Sequence, residues 1–279
     1  MNVKCFFPNG HYHSPVVDPL AIPDAVHVPP PPQSLLGIPI SIEDMLERWT
    51  RALPEISRAR FGAAAPLENK RFHLDGPFPF GDALFLKMQI LLNRPSKIIE
   101  IGSGFSTACM LDAVDEFGLD TEITCVEPYP ARLKKLLGPE GLERVTLIEE
   151  QVQNVPLILY NRLGQNDILF IDSSHVLKTA SDVNFELFEI LPQIAKGVAI
   201  QIHDCRYPFE YPKQWMTPDC NYSWNEAYAI RAFLMYNEAF KIEFWGSLFK
   251  RTFRAEIQRD FPSFLSENPG TSLWLRRVA

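Results

Sequence analysis

Two polar clusters in the sequence each adjoin the end of a run of apolar residues. Asp172 and His175 follow one such run, and His203 and Asp204 end another. A histidine titrates near neutrality and can take a proton from a reacting hydroxyl. Carboxylates are hard oxygen ligands that suit Mg²⁺ or Mn²⁺, and a bound cation lowers the pKa of a hydroxyl. The clusters therefore predict a site that removes a proton, with a histidine base or with a divalent cation.

A glycine-containing turn, Gly102-Ser103-Gly104, follows another apolar run and opens an amphipathic stretch. Glycine lets the backbone approach a ligand closely, and a helix N-terminus offers free N–H groups. Thr107 occupies the position of the third glycine in the dinucleotide fingerprint, which weakens an interpretation as a pyrophosphate site. The turn fits either a ligand site or a tight strand-to-helix connection without a ligand.

Glu127 ends the next apolar run, 25 residues after Gly102 (127 − 102). An acidic residue at the tip of the second strand can accept hydrogen bonds from both ribose hydroxyls of an adenosine-type cofactor. A solvated carboxylate at a strand end is the simpler alternative. The turn and the acid together indicate a nucleoside site more specifically than either does alone.

Alternating apolar and amphipathic segments must position these residues. Apolar runs predict five strands, at 97–101, 121–127, 144–149, 167–172 and 197–203. Amphipathic stretches predict helices near 105–117, 130–137, 155–163, 179–194 and 224–237, and two more strands are predicted near 240–247 and 271–278. Several runs are apolar throughout, as in parallel strands covered on both faces. The pattern predicts a doubly wound α/β sheet whose strand ends bring the polar clusters and the turn together.

Segment 98–127 resembles motifs one and two of the class I S-adenosylmethionine-dependent methyltransferases, and the resemblance extends over about 95–250. It implies a Rossmann-like sheet of seven strands, the last antiparallel, and S-adenosyl-L-methionine as cofactor. It also assigns a binding role to nine residues. These are Glu100, Gly102, Ser103, Gly104, Ser106 and Asp172 around the methionine and ribose, Glu127 on the ribose, and Gln151 and Val152 beside the adenine.

The two polar clusters are similar to those of small-molecule and sugar O-methyltransferases, which carry Asp-x-x-His after strand four and an acidic pair after strand five. In that subgroup the acids hold a metal, which implies Asp172 and Asp204 as ligands of Mg²⁺ or another divalent cation. This sequence departs from the pattern, since His203 stands where the first acid of the pair would be. Metal assistance and direct proton removal by His203 both stay open. Asp172, His203 and Asp204 are the predicted catalytic residues.

Four further residues are predicted to contact the methyl acceptor: His175, Tyr207, Trp215 and Glu226. Tyr207 and Trp215 belong to an aromatic- and proline-rich segment, 206–215. Aromatic faces stack on sugars or aromatic rings and exclude water. Glu226 has an equally simple alternative role, which is to favour a helix N-terminus electrostatically. The resemblance implies a small-molecule acceptor, with a sugar or a glycosylated natural product as the first choice.

Proline sets the first part of the chain apart, since thirteen of the 24 prolines lie in residues 1–80. The run Pro29 to Pro32 favours an extended polyproline II conformation. Ser41 is a candidate N-cap for a helix whose apolar face includes Met45 and Trp49. We expect residues 1–80 to form an arm and helix that act as a lid, and residues 81–279 to form the methyltransferase domain.

Composition limits the classes of protein that fit the 279 residues. Net charge is −7 with no concentrated basic patch, which argues against nucleic acid as a partner. Five cysteines without a CxxC pair favour a reducing compartment. The first residues lack the apolar core of a signal peptide, and no uncharged apolar run reaches the roughly 20 residues of a membrane span. We therefore expect a cytoplasmic protein that binds no membrane; a homo-oligomer is compatible with these features.

Two other functions fit the same elements. The first is an NAD(P)-dependent oxidoreductase, against which the missing third glycine and the lack of a Tyr-x-x-x-Lys pair count. The second is a catalytically inactive methyltransferase-like module that binds partners through its proline-rich arm. A nucleic-acid methyltransferase is disfavoured as well, because Asp172-Ser-Ser-His175 stands where an Asn/Asp-Pro-Pro-aromatic element would be.

Overall fold

A seven-stranded sheet with strand order β3-β2-β1-β4-β5-β9-β8 forms the centre of the computed structural model, which describes residues 5–266 and 270–279. Strands β1 to β5 are parallel, and β9 runs antiparallel to both of its neighbours. The strands of this sheet are β1 Lys97–Ile101, β2 Glu122–Val126, β3 Val145–Ile148, β4 Ile168–Ile171, β5 Ala199–Ile202, β8 Phe240–Trp245 and β9 Leu273–Arg277. The predicted doubly wound, Rossmann-like fold with a final antiparallel strand is confirmed.

Helices pack on both faces of the sheet, and every residue of β4 and β5 is buried, as expected for parallel strands covered on both sides. The helices are α1 Ile42–Ile56, α2 Phe80–Asn93, α3 Phe105–Glu116, α4 Ala131–Leu142, α5 Asp182–Phe185, α6 Glu226–Leu234, α7 Gly246–Thr252 and α8 Arg254–Asp260. A small second sheet pairs β6 Met216–Thr217 with β7 Cys220–Asn221. It lies in the segment that follows β5.

Two predicted helices differ from the structure. The stretch 155–163 forms a 3₁₀ turn at Leu157–Arg162, which follows another 3₁₀ turn at Val152–Asn154. No α-helix forms because Pro156 lacks an N–H and keeps Val155 extended. The stretch 179–194 begins as α5, continues as a π-helical segment over Glu186–Ile190 and ends in a 3₁₀ turn. Neither change alters the position of a strand.

Helix α1 belongs to the same core as the sheet. Ser41 caps it, and its hydroxyl accepts a hydrogen bond from the Asp44 N–H at 3.1 Å. Trp49 is fully buried and contacts the rings of Phe249 at 5.2 Å and Phe264 at 5.8 Å between centroids. Helix α2 begins one residue before the predicted boundary at 80/81, and the division into two domains stays a prediction.

We expect Trp49→Ala to lower the free energy of unfolding by about 3–5 kcal/mol, because it leaves a large cavity among packed rings. Urea unfolding measures this loss. Leu36→Ala is the control: Leu36 is 79% exposed, and its removal should change stability by less than about 0.5 kcal/mol. A loss below 1 kcal/mol for the Trp49 variant would show that α1 is not docked in the core.

Candidate functional site

The glycine turn after β1 is pressed against the end of β4. Gly102 has a φ of +80°, and a Cβ on it would lie 1.8 Å from the carbonyl oxygen of Asp172. The next N–H, that of Ser103, donates to Oε2 of Glu127 at 3.1 Å. Three strand ends therefore meet at this turn, and only glycine satisfies both the backbone angle and the available space at position 102.

Glu100 supports the turn from within the protein. Its buried carboxylate accepts hydrogen bonds of 2.5 Å from the hydroxyls of Ser106 and Thr107. Thr107 in turn accepts the Gly104 N–H at 3.0 Å, which explains why a threonine stands where the dinucleotide fingerprint has glycine. Glu100 thus contacts the hydroxyls beneath the turn, and its predicted role at the cofactor stays a prediction.

Burial raises the pKa of Glu100 from its ordinary 4.5 to about 7, although the hydroxyls of Ser106 and Thr107 partly offset this effect. The folded protein then holds a proton that the unfolded chain has lost between these two pH values. The stabilising contribution of Glu100 is complete below pH 4.5 and disappears as the pH rises through 7.

We expect Glu100→Gln to remove this pH dependence. Relative to the variant, the parent protein should lose up to about 1.4 kcal/mol of stability per pH unit between pH 5 and 7, and no more above that range. Urea unfolding at pH 5, 6, 7 and 8 provides the comparison. Parallel stability curves for the two proteins would rule out the raised pKa of Glu100.

A cavity of about 250 Å³ lies at the carboxyl ends of the parallel strands. Among its walls are nine of the predicted site residues: Gly102, Ser103, Gly104, Ser106, Glu127, Asp172, His175, His203 and Asp204. Arg132 and Trp224, which the sequence did not single out for this site, line it as well. Gln151 is exposed and Val152 is buried outside the cavity, so the structure does not bring the predicted adenine pair to it.

Four titratable groups converge in this cavity from the ends of β4 and β5. Nε2 of His175 lies 3.4 Å from Oδ1 of Asp172 and 3.8 Å from Oδ2 of Asp204. Nε2 of His203 lies 3.8 Å from Oδ1 of the same Asp204. The two polar clusters predicted to meet are therefore in direct contact.

Each ionisable side chain in this cluster shifts the pKa values of its neighbours. Burial alone would lower the pKa of His175, but Asp172 and Glu226 raise it to about 11, so this ring is an imidazolium at neutral pH. Burial would raise the pKa of Asp172, and His203 and His175 hold it below its ordinary value instead. Burial opposes protonation of His203, yet Asp172, Asp204 and Asp82 raise the pKa of that ring.

His175 and Asp204 both adopt left-handed backbone conformations, with φ values of +60° and +50°. Such angles cost about 1–3 kcal/mol in residues other than glycine and persist where the surroundings impose them. The carbonyl of His175 accepts from the N–H groups of Asn225 and Glu226, and Thr271 donates its hydroxyl to Asp204 at 2.7 Å. The fold thus holds two strained residues at the centre of the cavity.

Two predicted acceptor contacts are corrected. The buried carboxylate of Glu226 lies 2.8 Å from Nδ1 of His175, so it positions that ring from behind. The hydroxyl of Tyr207 donates to the carbonyls of Pro30 and Pro31, so it fastens the arm to the domain. Trp215, in contrast, lines a second and larger cavity beside the first.

A buried chain of hydrogen bonds reaches His203 from behind. Asp82, at the start of α2, accepts the hydroxyl of Ser272 at 2.5 Å in the described geometry. The amide nitrogen of Gln201 donates to that hydroxyl at 2.8 Å and lies 3.4 Å from Nδ1 of His203. This orientation makes Nδ1 the acceptor, so the neutral ring carries its proton on Nε2, next to Asp204. Sequence reasoning missed the chain, although a glutamine inside an apolar strand was a usable signal.

The predicted metal ligands do not form a metal site. Within residues 5–266 and 270–279, no group of three or more His, Cys, Asp or Glu side chains is arranged to hold a metal ion. Nε2 of the His175 imidazolium lies 3.4 Å from Asp172 and 3.8 Å from Asp204, so its single positive charge partly offsets the two carboxylates that were expected to share a cation. Over the same described ranges, no helix has the length and apolar character needed to cross a bilayer.

Residues 99–205 match the family described as "Methyltransferase domain". This part of the chain is therefore similar to a methyltransferase domain. The match begins in β1 and ends just after β5, so it includes the glycine turn, Glu127, Asp172, His203 and Asp204. Most of the residues that line the 250 Å³ cavity thus belong to the matched range; Pro77, Phe78 and Trp224 lie outside it.

Individual proteins are similar to this protein over larger parts of the chain. An uncharacterized protein of Archaeoglobus fulgidus is 28% identical over 169 residues, which are 58% of this chain and 76% of that protein. A methyltransferase of Podospora anserina, solved with SAH bound, gives a TM-score of 0.46 at 17% identity and covers 88% of this chain and 91% of its own. The O-methyltransferase TomG of Streptomyces achromogenes, solved with SAM, gives 0.44 at 13% identity over 70% of this chain and 78% of its own.

Proposed function

We propose that this protein transfers a methyl group from S-adenosylmethionine to a hydroxyl group of a small molecule. The observation that carries the proposal is the cavity shared by the glycine turn, Glu127 and the Asp172–His203–Asp204 cluster. The residues proposed to bind the nucleoside and the residues that could accept a proton line the same cavity. An O-methyltransferase needs both at one place, because the acceptor hydroxyl must lose its proton near the donor.

The residues present fit the donor. Gly102 and Gly104 keep the turn free of side chains, and Ser103 presents a buried hydroxyl that has no protein partner in the described geometry. The carboxylate of Glu127 stands at the tip of β2, where it would accept both ribose hydroxyls. Arg132 lies 3.3 Å from the Cβ position of Gly104 and would pair with the carboxylate of the methionine part. When bound, S-adenosylmethionine supplies the methyl group on a sulfonium.

The carboxylate of Asp204 takes the proton of the acceptor hydroxyl, and the Nε2 edge of the His203 ring faces that carboxylate. Gln201 keeps the neutral His203 ring in the form that carries a proton on Nε2, which faces the Asp204 carboxylate. Asp204 is held by the Thr271 hydroxyl and by its backbone, so its position does not depend on the acceptor. Asp172 and the imidazolium of His175 form an ion pair beside His203 and Asp204.

Ligand-induced thermal stabilisation tests the donor. S-adenosylhomocysteine at 100 times its Kd should stabilise the protein by about 2.7 kcal/mol, which raises the Tm by roughly 5–10 °C for a chain of this size. NADH serves as the control and should give no shift. A shift with NADH alone would favour an oxidoreductase, and no shift with either ligand would favour an inactive module. Repeating the measurement with Mg²⁺ checks that the cation adds nothing.

We also propose that the arm before the domain covers the acceptor. The Val17 carbonyl accepts from the Asn221 amide at 3.0 Å, Asp24 pairs with Lys213, and Arg251 donates to the Pro29 carbonyl. These contacts hold the arm over the segment that follows β5. Residues Leu35 and Ile38 are buried in the core, so the covering part ends before them.

Deleting residues 1–28 is expected to reduce kcat/KM for the acceptor by about ten-fold or more, because the cover that excludes water is lost. The affinity for S-adenosylhomocysteine should stay within two-fold, since the glycine turn is not touched. Steady-state kinetics and isothermal titration calorimetry separate the two effects. Unchanged turnover in the shortened protein would exclude a covering role for the arm.

A further inference from the structure

A second cavity, of about 690 Å³, lies between arm residues 10–26 and the segment 210–228. Trp224 lines this chamber and also the 250 Å³ cavity, and its ring lies 4.4 Å from that of His175. The chamber volume is typical of sites for drug-sized ligands and exceeds what a single ring would fill. A molecule in the chamber therefore shares the Trp224 ring with the cavity that holds His203 and Asp204.

Aromatic rings form the wall of the chamber on the domain side. Tyr222 stacks on Trp224 at 4.6 Å with an interplanar angle of 14°. Trp215 meets Trp224 edge-on at 5.3 Å. Aliphatic side chains of the arm, among them Val16 and Ile22, close the opposite side. These surfaces fit a flat apolar ring system, because aromatic pairs gain from stacked and edge-to-face contacts.

Charge restricts the occupant further. Among the described residues that line the chamber, none is a lysine or an arginine. The carboxylates present already have partners: Asp18 accepts the Leu20 N–H at 3.0 Å, and Glu210 accepts the Tyr228 hydroxyl at 2.5 Å. His11 is the basic side chain of this lining, so apart from it a phosphate, sulfate or carboxylate group on the acceptor would be desolvated without a positive partner, which is costly.

Several polar side chains of the chamber already have hydrogen-bond partners in the protein. The Asn225 side chain bonds to both backbone groups of Leu177, and the Ser223 hydroxyl donates to Asn221. The Ser14 hydroxyl accepts the Val16 N–H, and the Tyr211 hydroxyl accepts the Ala227 N–H. A sugar would have to replace several of these bonds to satisfy its own hydroxyls, whereas an apolar ring system replaces none.

We propose that the chamber binds an uncharged, planar, hydroxylated aromatic compound as the methyl acceptor. The inference rests on the proposed function for the identity of the reaction, and it replaces a sugar as the first choice of acceptor. The ring system lies against Trp215 and Trp224, and one hydroxyl reaches past Trp224 to His203 and Asp204.

Three probes of matched size test the proposal in the presence of saturating S-adenosylhomocysteine: 2-naphthol, 6-hydroxy-2-naphthoate and methyl β-D-glucopyranoside. Saturation-transfer NMR and competition titrations report their binding. We expect 2-naphthol to bind at least ten-fold more tightly than either of the others. Binding of the glucoside or the naphthoate with equal or higher affinity, or no binding of 2-naphthol, would overturn the proposal.

Two variants place the probe in the chamber. Trp215→Ala should weaken 2-naphthol about ten-fold and leave the affinity for S-adenosylhomocysteine unchanged. Val17→Arg adds a cation at a partly exposed position of the wall and should strengthen naphthoate relative to naphthol. If neither substitution changes the affinity for 2-naphthol, the chamber is not its binding site. Failure to bind S-adenosylhomocysteine would instead count against the proposed function, so the two failures are distinguishable.

Discussion

Replacing Asp204 by asparagine is expected to lower kcat/KM for methyl transfer by about 10²–10⁴-fold, the usual contribution of general acid–base catalysis. The change removes the charge that faces both His203 and His175. Asparagine tolerates the left-handed backbone of this position, and its carbonyl oxygen can still accept the Thr271 hydroxyl. The loss should therefore come from chemistry and not from misfolding.

The matched control is Asp219→Asn, an exposed acid in the segment that follows β5 and lies outside both cavities. It should retain the parent kcat/KM. Calorimetric titration of both variants should give affinities for S-adenosylhomocysteine within three-fold of the parent. If Asp204→Asn keeps full turnover, Asp204 does not remove the proton.

Gly102→Ala should abolish measurable binding of S-adenosylhomocysteine and destabilise the fold by several kcal/mol. The added methyl group would lie 1.8 Å from the Asp172 carbonyl, so β1 and β4 must separate where the Asp172 N–H now bonds to the Ile101 carbonyl. Overpacking of this kind typically costs about 1–3 kcal/mol, and the left-handed φ adds about 1 more.

Gly118→Ala separates these two contributions. Gly118 has a similar φ of +57°, but a Cβ there meets nothing within 4 Å. This variant should lose only about 1 kcal/mol and bind S-adenosylhomocysteine normally. Equal effects of the two substitutions in urea unfolding and in titration would show that backbone strain, and not contact with Asp172, makes glycine necessary at position 102.

Periodicity located the sheet because each strand is a short apolar run bounded by polar residues. All seven strands of the main sheet lie within two residues of the predicted ends. Helix α2 went unpredicted because it is buried nearly all round and shows no polar face, which removes the 3.6-residue pattern. Strand ends also predicted which residues line the 250 Å³ cavity, since parallel strands present their carboxyl ends at one edge.

The direction and the partners of individual side chains could not be predicted from the sequence. Whether Glu100 faces a ligand or the hydroxyls of α3 depends on a turn whose shape Thr107 helps to set. Tyr207 bonds to carbonyls about 176 positions earlier in the chain, and no local pattern records such a contact. Gln201 is the exception, because a buried amide in an apolar strand must find partners.

The position of β9 determines the order in which the sheet can assemble while the chain is being synthesised. Strands β2 to β5 can each pair with a strand that has already been made, whereas β8 joins the sheet only through β9, which follows it in the chain. Thr271 and Ser272, just before β9, hold Asp204 and the chain of bonds behind His203. A growing polypeptide can thus complete the donor half of the site while the acceptor half still lacks its supports. Folding that proceeds with synthesis would deliver a donor-binding intermediate before a catalyst.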